Sequence, residues 1–266
     1  MTKRKEKVHL PKDSSRICEN MSFTAAEAYK MLRTKLGLIL PGNPDLPERK
    51  CRLIGVTSAL RGEGKSTTAV NLAYTMAESK KQVLLIEADM RLPSIHKRLG
   101  LSVSPGLSEL LTSDATDVCM QQYQTKNGSA LNVIASGEIP PLPSELLESK
   151  KMKMLLERSA EEFDYVIVDL PPVTVVTDAI SVSAILDGML LVVRENYCDS
   201  RSLQDAMNQF RLANVRLLGV VMNESNGMGT GGSNYNYRYG SHYSKKYYYR
   251  QSYQDEYKQT SGGDTE

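Results

Sequence analysis

A phosphate-binding loop near residue 60 constrains the fold of this chain more than any other feature of its sequence. The stretch ALRGEGKST (59–67) directly follows the apolar run RLIGVTS (52–58) and opens a helix-like run near Lys65. It fits the pattern G-x-x-x-x-G-K-[ST], with Ala59 in the place of the first glycine. A strand, such a loop and a helix in this order are typical of nucleotide-binding α/β proteins.

The residue types of this loop suit a nucleotide and magnesium. Its two glycines permit a tight turn whose backbone N–H groups form a nest for phosphate, and the following helix adds its positive end. In this pattern Lys65 reaches the β- and γ-phosphates, and the Ser66 hydroxyl binds Mg²⁺. We therefore predict a site for ATP and Mg²⁺, with the loop residues Arg61, Gly62, Glu63, Gly64, Lys65, Ser66 and Thr67 around the nucleotide.

Strand-like and helix-like runs alternate between residues 46 and 224. Several strand-like runs are continuously apolar, as in a parallel sheet that is covered on both faces. This alternation predicts an α/β domain with a doubly wound, mostly parallel sheet, the P-loop NTPase class. The predicted strands are 52–58, 82–88, 131–136, 165–170, 188–194 and 216–223, and the predicted helices are 65–79, 106–113, 143–160, 178–186 and 200–213.

Acidic residues follow two of these strands close to the phosphate loop. Asp169 ends the strand in VIVDLPP, which is the place of a Walker B carboxylate that holds Mg²⁺ or its waters. Glu87, Asp89 and Arg91 end the strand in LLIEADMR. One acid at a strand end is common on any surface, but three beside one phosphate loop favour a catalytic centre. Asp178 is either a further site residue or a helix N-cap.

The two ends of the chain differ from this core. Residues 1–20 are charged and poor in apolar residues, which predicts a disordered arm. Residues 21–45 contain a helix signal, because Thr24 and Glu27 have the spacing of a capping box. Residues 225–266 begin with a glycine-rich linker and continue into a stretch with nine tyrosines and no aliphatic residue, which predicts a flexible tail.

Composition excludes several other classes of protein. The four cysteines are far apart and form no CxxC pair, so a disulfide framework or a cysteine metal site is not expected. A net charge of +2 gives no strong field for nucleic acid. No apolar run has the length of a signal peptide or of a membrane span, and we expect a cytoplasmic protein.

The phosphate loop, LLIEADMR, VIVDLPP and the tyrosine cluster together resemble the bacterial tyrosine kinases of capsule and exopolysaccharide synthesis, which are relatives of the MinD and ParA ATPases. PSELLESKKMKMLL (143–156) resembles the helix before that family's Walker B strand. EAYKMLRTKL is similar to its oligomerisation motif E-x-x-R-x-x-R, carried here by Glu27, Lys30 and Arg33. The family's second motif usually begins with aspartate, whereas this chain has Glu87.

This resemblance implies an ATP-dependent protein-tyrosine kinase that assembles into a homo-oligomeric ring. It also implies a separate transmembrane activator, a polysaccharide co-polymerase, that recruits the kinase to the inner face of the cell membrane. The plain alternative for residues 24–39 is an amphipathic helix that packs on its own domain.

The resemblance also implies roles for the site residues. Lys65 and Mg²⁺ neutralise the transferred charge, and Ser66, Asp89 and Asp169 hold the metal. Proton acceptance falls to Glu87 or Asp89. Two further residues keep two interpretations each: Arg91 stabilises the transferred charge or pairs with an acid, and Asn223 contacts the adenine or is only a strand end.

The tyrosines of the tail are the predicted substrates, entering the site of a neighbouring subunit. Each phosphate adds about −1.5 to −2 charges, so we hypothesise that accumulated phosphorylation drives the assembly apart. The predicted acceptors are Tyr235, Tyr237, Tyr239, Tyr243, Tyr247, Tyr248, Tyr249, Tyr253 and Tyr257.

Two other functions compete with this interpretation. A MinD- or ParA-like ATPase switch would keep the nucleotide site without kinase activity, but those relatives commonly carry a lysine at the place of Leu60. Aromatic and basic residues interleaved in the tail are also typical of binding to single-stranded nucleic acid. From Asn226 onward, five Lys or Arg face four Asp or Glu, a net charge of +1, so no nucleic-acid partner is expected.

Overall fold

The computed structural model describes residues 17–40, 51–113 and 119–224. The strands are β1 (Arg52–Ser58), β2 (Val83–Glu87), β3 (Met120–Gln124), β4 (Ala130–Ile134), β5 (Tyr165–Asp169), β6 (Gly188–Arg194) and β7 (Leu217–Asn223). The α-helices are α1 (Phe23–Ile39), α2 (Lys65–Glu78), α3 (Ile95–Leu99), α4 (Leu107–Thr112), α5 (Pro143–Leu147), α6 (Lys150–Glu162), α7 (Asp178–Ser183) and α8 (Ser200–Leu212).

The seven strands form one sheet in the order β3-β4-β2-β5-β1-β6-β7. All neighbouring strands are parallel except the edge pair of β3 and β4. The register places Asp169 opposite both Val56 of β1 and Glu87 of β2. The carboxyl ends of these three strands therefore meet beside the phosphate loop, which confirms the predicted doubly wound fold.

Two hydrophobic layers cover the sheet, and alternate residues of each strand enter different layers. In β2, Leu84 and Ile86 pack on the layer that contains α4 to α8, whereas Val83 and Leu85 pack on the layer that contains α1, α2 and α3. Because both faces are covered, β2 is buried along its whole length and β1 is buried after its first residue, Arg52.

The sequence-based prediction missed three elements, namely β3, α3 and a 3-10 helix over Cys18–Asn20. β3 has the polar sequence MQQYQ and lies at the edge of the sheet, so it gives no apolar run. α3 has five residues, fewer than a helical periodicity needs. The predicted helix 143–160 is two helices, because Ser149 interrupts it and caps α6 by accepting the Met152 N–H at 3.2 Å.

The N-terminal boundaries also need correction. Ser22, and not Thr24, caps α1 by accepting the Ala25 N–H at 3.3 Å. Residues 17–20, predicted to belong to a disordered arm, join the fold: Ile17 is 2% exposed, and Glu19 accepts the Tyr123 hydroxyl at 2.6 Å. The remaining parts of the predicted arm and the whole predicted tail, 1–16 and 225–266, lie outside the described residues.

Within the part of the chain that the structure describes, no helix combines the length and the apolar character that crossing a bilayer requires.

Candidate active site

The phosphate loop joins the buried end of β1 to the first turn of α2. Gly62 and Gly64 have φ angles of +84° and +91°, which favour glycine because other residues are strained there. A side chain at Gly64 would also collide with the Asn223 amide. The loop borders a pocket of about 220 Å³ that is also lined by Asp89. The loop thus has the tight turn and the helix start that a phosphate cradle needs, and phosphate binding by these residues stays a prediction.

Lys65 lies between two of the predicted acids. Its Nζ is 2.7 Å from Oδ2 of Asp89 and 3.7 Å from Oδ1 of Asp169. It also donates to the Ser66 hydroxyl at 3.1 Å. Burial alone would lower the pKa of the Lys65 ammonium, but the carboxylates of Asp169 and Asp89 outweigh burial and raise it above its ordinary value. Lys65 is therefore a stable cation held at the wall of the pocket.

Asp169 is a buried carboxylate whose surroundings suit a metal ligand. It is fully buried, and neither carboxylate oxygen has a hydrogen-bond partner among the described residues. Burial raises its pKa to about 6, although the nearby Lys65 ammonium opposes the rise. An unsatisfied buried carboxylate beside a serine hydroxyl fits Mg²⁺, which protein sites hold with one or two carboxylates plus substrate phosphates.

A metal site made by the protein alone is absent from the described residues. They contain no group of three or more His, Cys, Asp or Glu side chains suited to hold a metal ion. Mg²⁺ that enters with a nucleotide would take its further ligands from the phosphate oxygens.

The Glu87 carboxylate is directed at backbone N–H groups. It accepts the N–H groups of Ser94 and Ile95 at 2.5 Å each, and that of Ser136 at 3.2 Å. Nδ1 of His96 lies 3.5 Å away. Glu87 thus caps the start of α3 and ties it to the end of β4, a role that the extra methylene of glutamate makes possible.

Arg91 pairs with an acid, as one of its two interpretations expected. Its guanidinium contacts both oxygens of Asp178, at 2.9 and 3.1 Å, and donates to the Ser144 hydroxyl at 2.9 Å. Ser144 also donates to Asp178 at 2.7 Å. Asp178 is the first residue of α7 rather than its N-cap, which is Thr177. This network joins the turn after β2 to α5 and α7.

The side chain of Glu63 lies beneath the phosphate loop rather than in the pocket. It accepts the Leu60 N–H at 2.6 Å and, at 3.4 Å, the Arg194 N–H at the end of β6. Burial raises the pKa of Glu63, although the Leu60 N–H favours its charged form. Tyr197 braces the same loop by donating to the Arg61 carbonyl at 3.0 Å.

Asn223, the last residue of β7, contacts the loop directly. Its Nδ2 donates to the Glu63 carbonyl at 2.8 Å. This explains why the strand end needs an amide at that position. Contact of Asn223 with adenine stays a prediction.

The three predicted oligomerisation residues make contacts within one chain. Lys30 pairs with Glu27 at 2.7 Å on the exposed side of α1. Arg33 donates to the Thr75 carbonyl of α2 at 2.5 Å. Glu27 and Lys30 therefore remain accessible to another subunit, whereas Arg33 already joins two helices of its own.

Sequence reasoning missed Leu92, Ser94 and Arg98, which line the pocket together with the phosphate loop. They belong to the segment RLPSIHKRLG, which follows the second acidic motif and has no strand or helix periodicity. A basic residue shortly after that motif was the only signal for Arg98.

Known proteins that resemble this chain include P-loop NTPases and tyrosine kinases. A family model described as "ParA: NUBPL iron-transfer P-loop NTPase" matches residues 50–254. Tyrosine-protein kinase YwqD of Bacillus subtilis (strain 168) is 36% identical over 198 residues, which cover 74% of this chain and 80% of YwqD. The solved kinase domain of Escherichia coli tyrosine kinase ETK has a TM-score of 0.70 and 31% identity, with 80% of each chain covered.

A longer relative is the succinoglycan biosynthesis transport protein ExoP of Rhizobium meliloti (strain 1021). It is 32% identical over 228 residues, which are 83% of this chain. The chain spans only 28% of the length of ExoP, so ExoP contains much that has no counterpart here.

Proposed function

Because this chain belongs to the ParA-type P-loop NTPases and, among them, to the bacterial protein-tyrosine kinases, we propose that it transfers the γ-phosphoryl group of ATP to tyrosine hydroxyls with Mg²⁺. The observation that carries this proposal is the Lys65 ammonium, held between Asp89 and Asp169 at the phosphate loop. These are the cation, the proton acceptor and the metal ligand that phosphoryl transfer requires.

The chain's own residues divide the work as follows. Ser66 and Asp169 would hold the metal, and Asp89 would contact it through a bound water. Bound Mg²⁺ supplies charge neutralisation at the phosphates. Lys65 moves from Asp89 onto the β- and γ-phosphates, because a triphosphate attracts it more strongly than one carboxylate does.

Asp89 is the better candidate for proton acceptor. Its carboxylate lines the pocket 2.7 Å from the Lys65 ammonium, so a substrate phenol in the pocket can reach it once Lys65 has moved to the phosphates. Glu87, in contrast, already accepts three backbone N–H groups, and it would have to abandon α3 to accept a proton. A phenol has a pKa of about 10, so a positioned acceptor is needed near neutral pH.

We further propose that the nine tail tyrosines are substrates, phosphorylated by a neighbouring subunit of a ring. These residues lie outside the described part of the chain, and the proposal is supported by their number and by the accessible Glu27–Lys30 pair. Because ExoP is named for succinoglycan biosynthesis and transport, we propose that the kinase regulates the synthesis and export of an extracellular polysaccharide at the cell membrane, with a transmembrane activator.

Intact-mass spectrometry of the full chain with Mg²⁺ and ATP tests the activity. We expect a ladder of phosphate additions that maps to residues 235–257 and is absent from Lys65→Ala. Mixing Lys65→Ala, which keeps its tail, with an active variant in which all nine tail tyrosines are phenylalanine tests the direction of transfer. Phosphate on the Lys65→Ala chain supports transfer between subunits, whereas its absence beside an active wild type refutes it.

The second candidate function is an ATPase switch of the ParA type, which the family model favours. The position of Leu60 argues against it. Leu60 is 3% exposed within the core, and its N–H is held by Glu63, so a lysine there could not extend from the loop without breaking this packing. Steady release of inorganic phosphate, with no phosphate on protein, would favour the switch over the kinase.

A further inference from the structure

An arginine from outside the phosphate loop lines the same pocket as the loop. The loop and the start of α2 contribute Arg61 and Lys65 to this pocket of about 220 Å³. The turn after β2 and the helix α3 contribute Asp89, Ser94 and Arg98.

The helix that carries Arg98 is firmly attached. Glu87 holds its first N–H groups, Ile95 is fully buried and Leu99 is 6% exposed in the same core layer as α2. The Arg98 N–H bonds to the Ser94 carbonyl at 3.2 Å, and its Nε lies 3.4 Å from the Ser94 hydroxyl. Arg98 thus reaches the pocket from a fixed backbone rather than from a loop.

The chemistry of the pocket defines what an arginine can do there. A guanidinium is permanently charged, and its planar fork of donors matches two phosphate oxygens at once. The phosphate loop and the start of α2 hold the phosphates nearest the nucleoside. Asp89, our proton acceptor, lines the same pocket as Arg98, so Arg98 belongs to the pocket in which the terminal phosphate and the acceptor tyrosine meet.

We propose that Arg98, which lies outside the phosphate loop, binds the terminal phosphate of ATP. It thereby distinguishes ATP from ADP and stabilises the charge on the phosphoryl group as it leaves. This inference rests on the proposed function, because it assumes that a nucleoside triphosphate occupies the pocket.

Equilibrium binding separates this role from a structural one. The probes are ADP and the non-hydrolysable β,γ-imido analogue of ATP, each with Mg²⁺, measured calorimetrically on the full chain. For Arg98→Gln we expect analogue binding to weaken about tenfold to hundredfold, the range of a lost charge-assisted hydrogen bond, while ADP affinity stays within about threefold. Arg98→Lys keeps the charge without the fork, so its selective loss is expected to be intermediate.

Lys97→Gln is the matched control. Lys97 is the preceding residue of α3, is exposed and does not line the pocket, and its substitution changes the net charge by the same amount. Both affinities of this variant should equal those of the wild type. Thermal unfolding of each variant identifies loss of structure. If Arg98→Gln unfolds at a lower temperature than the wild type, the test is instead the ratio of analogue affinity to ADP affinity in Arg98→Lys.

The outcomes are distinguishable. Equal weakening of both ligands, or unchanged binding of both, overturns the role of Arg98 and leaves the kinase proposal intact. A wild-type protein that binds neither nucleotide refutes the proposed function and, with it, this inference. A selective loss of analogue binding in Arg98→Gln that is smaller in Arg98→Lys and absent from Lys97→Gln supports the assignment.

Discussion

Replacement of Asp169 by asparagine is expected to stabilise the nucleotide-free protein while it abolishes the response to Mg²⁺ and ATP. The fold holds this carboxylate without a hydrogen-bond partner among the described residues and raises its pKa to about 6, from the 3.8 of an ordinary aspartate. The difference corresponds to about 3 kcal/mol, at about 1.4 kcal/mol for each pKa unit. Ionisation of Asp169 therefore lowers the free energy of unfolding by this amount.

The sign of the pH dependence follows from linkage. Below pH 3.8 both folded and unfolded chains carry the proton, and the penalty is absent. It grows as the pH rises through the interval up to about 6, and it is complete above that value. Relative to wild type, Asp169→Asn should gain about 1 kcal/mol at pH 4.5 and about 3 kcal/mol at pH 8.

Urea unfolding at pH 4.5, 6 and 8 measures this difference. A constant contribution from the new amide shifts all three values together, so the test is the increase of about 2 kcal/mol between the lowest and highest pH. Mg²⁺ with ATP should raise the midpoint of the wild type and leave that of the variant unchanged. A stability difference that is independent of pH, or that shrinks as the pH rises, would refute this view of Asp169.

Three further substitutions test the side-chain contacts that support the site. Arg91→Met leaves the buried Asp178 carboxylate without its cation and should lower the free energy of unfolding by about 3 kcal/mol. Adding Asp178→Asn should restore part of this loss in the double variant. Urea unfolding measures both variants, and an unchanged midpoint for Arg91→Met contradicts the reasoning. Glu63→Gln places an amide against N–H groups beneath the phosphate loop and should weaken ATP binding about tenfold, by calorimetry, whereas equal affinity would show that this brace is dispensable. Glu87→Asp shortens the cap of α3, so amide exchange at residues 94–99 should accelerate, and unchanged protection there would argue against capping.

The central part of the site could be predicted from the sequence because strand ends determine it. Lys65, Asp89 and Asp169 each follow a recognisable strand or loop signal, and in a parallel sheet those signals end at one edge. The register then brings them together without any knowledge of side-chain packing. The fold class was predictable for the same reason, since apolar runs alternating with helices allow few arrangements.

The remaining features depend on individual side-chain contacts, which periodicity does not encode. The Glu63 side chain turns beneath its loop because backbone N–H groups need an acceptor there. Glu87 leaves the pocket for the same kind of reason, at the start of α3. Arg98 belongs to a helix of five residues, and β3 is a polar edge strand, so neither carries a pattern long enough to recognise.

The helix α2 has a consequence for how assembly and nucleotide binding influence each other. Its first residue, Lys65, lies at the phosphates, and Thr75 near its other end is bonded to Arg33 of α1. Fourteen residues make it a rod of about 20 Å, too short to bend appreciably. If α1 also contacts a neighbouring subunit, both events act on one rigid body, and linkage requires reciprocity: the factor by which ATP changes the association constant of the ring equals the factor by which ring formation changes the affinity for ATP.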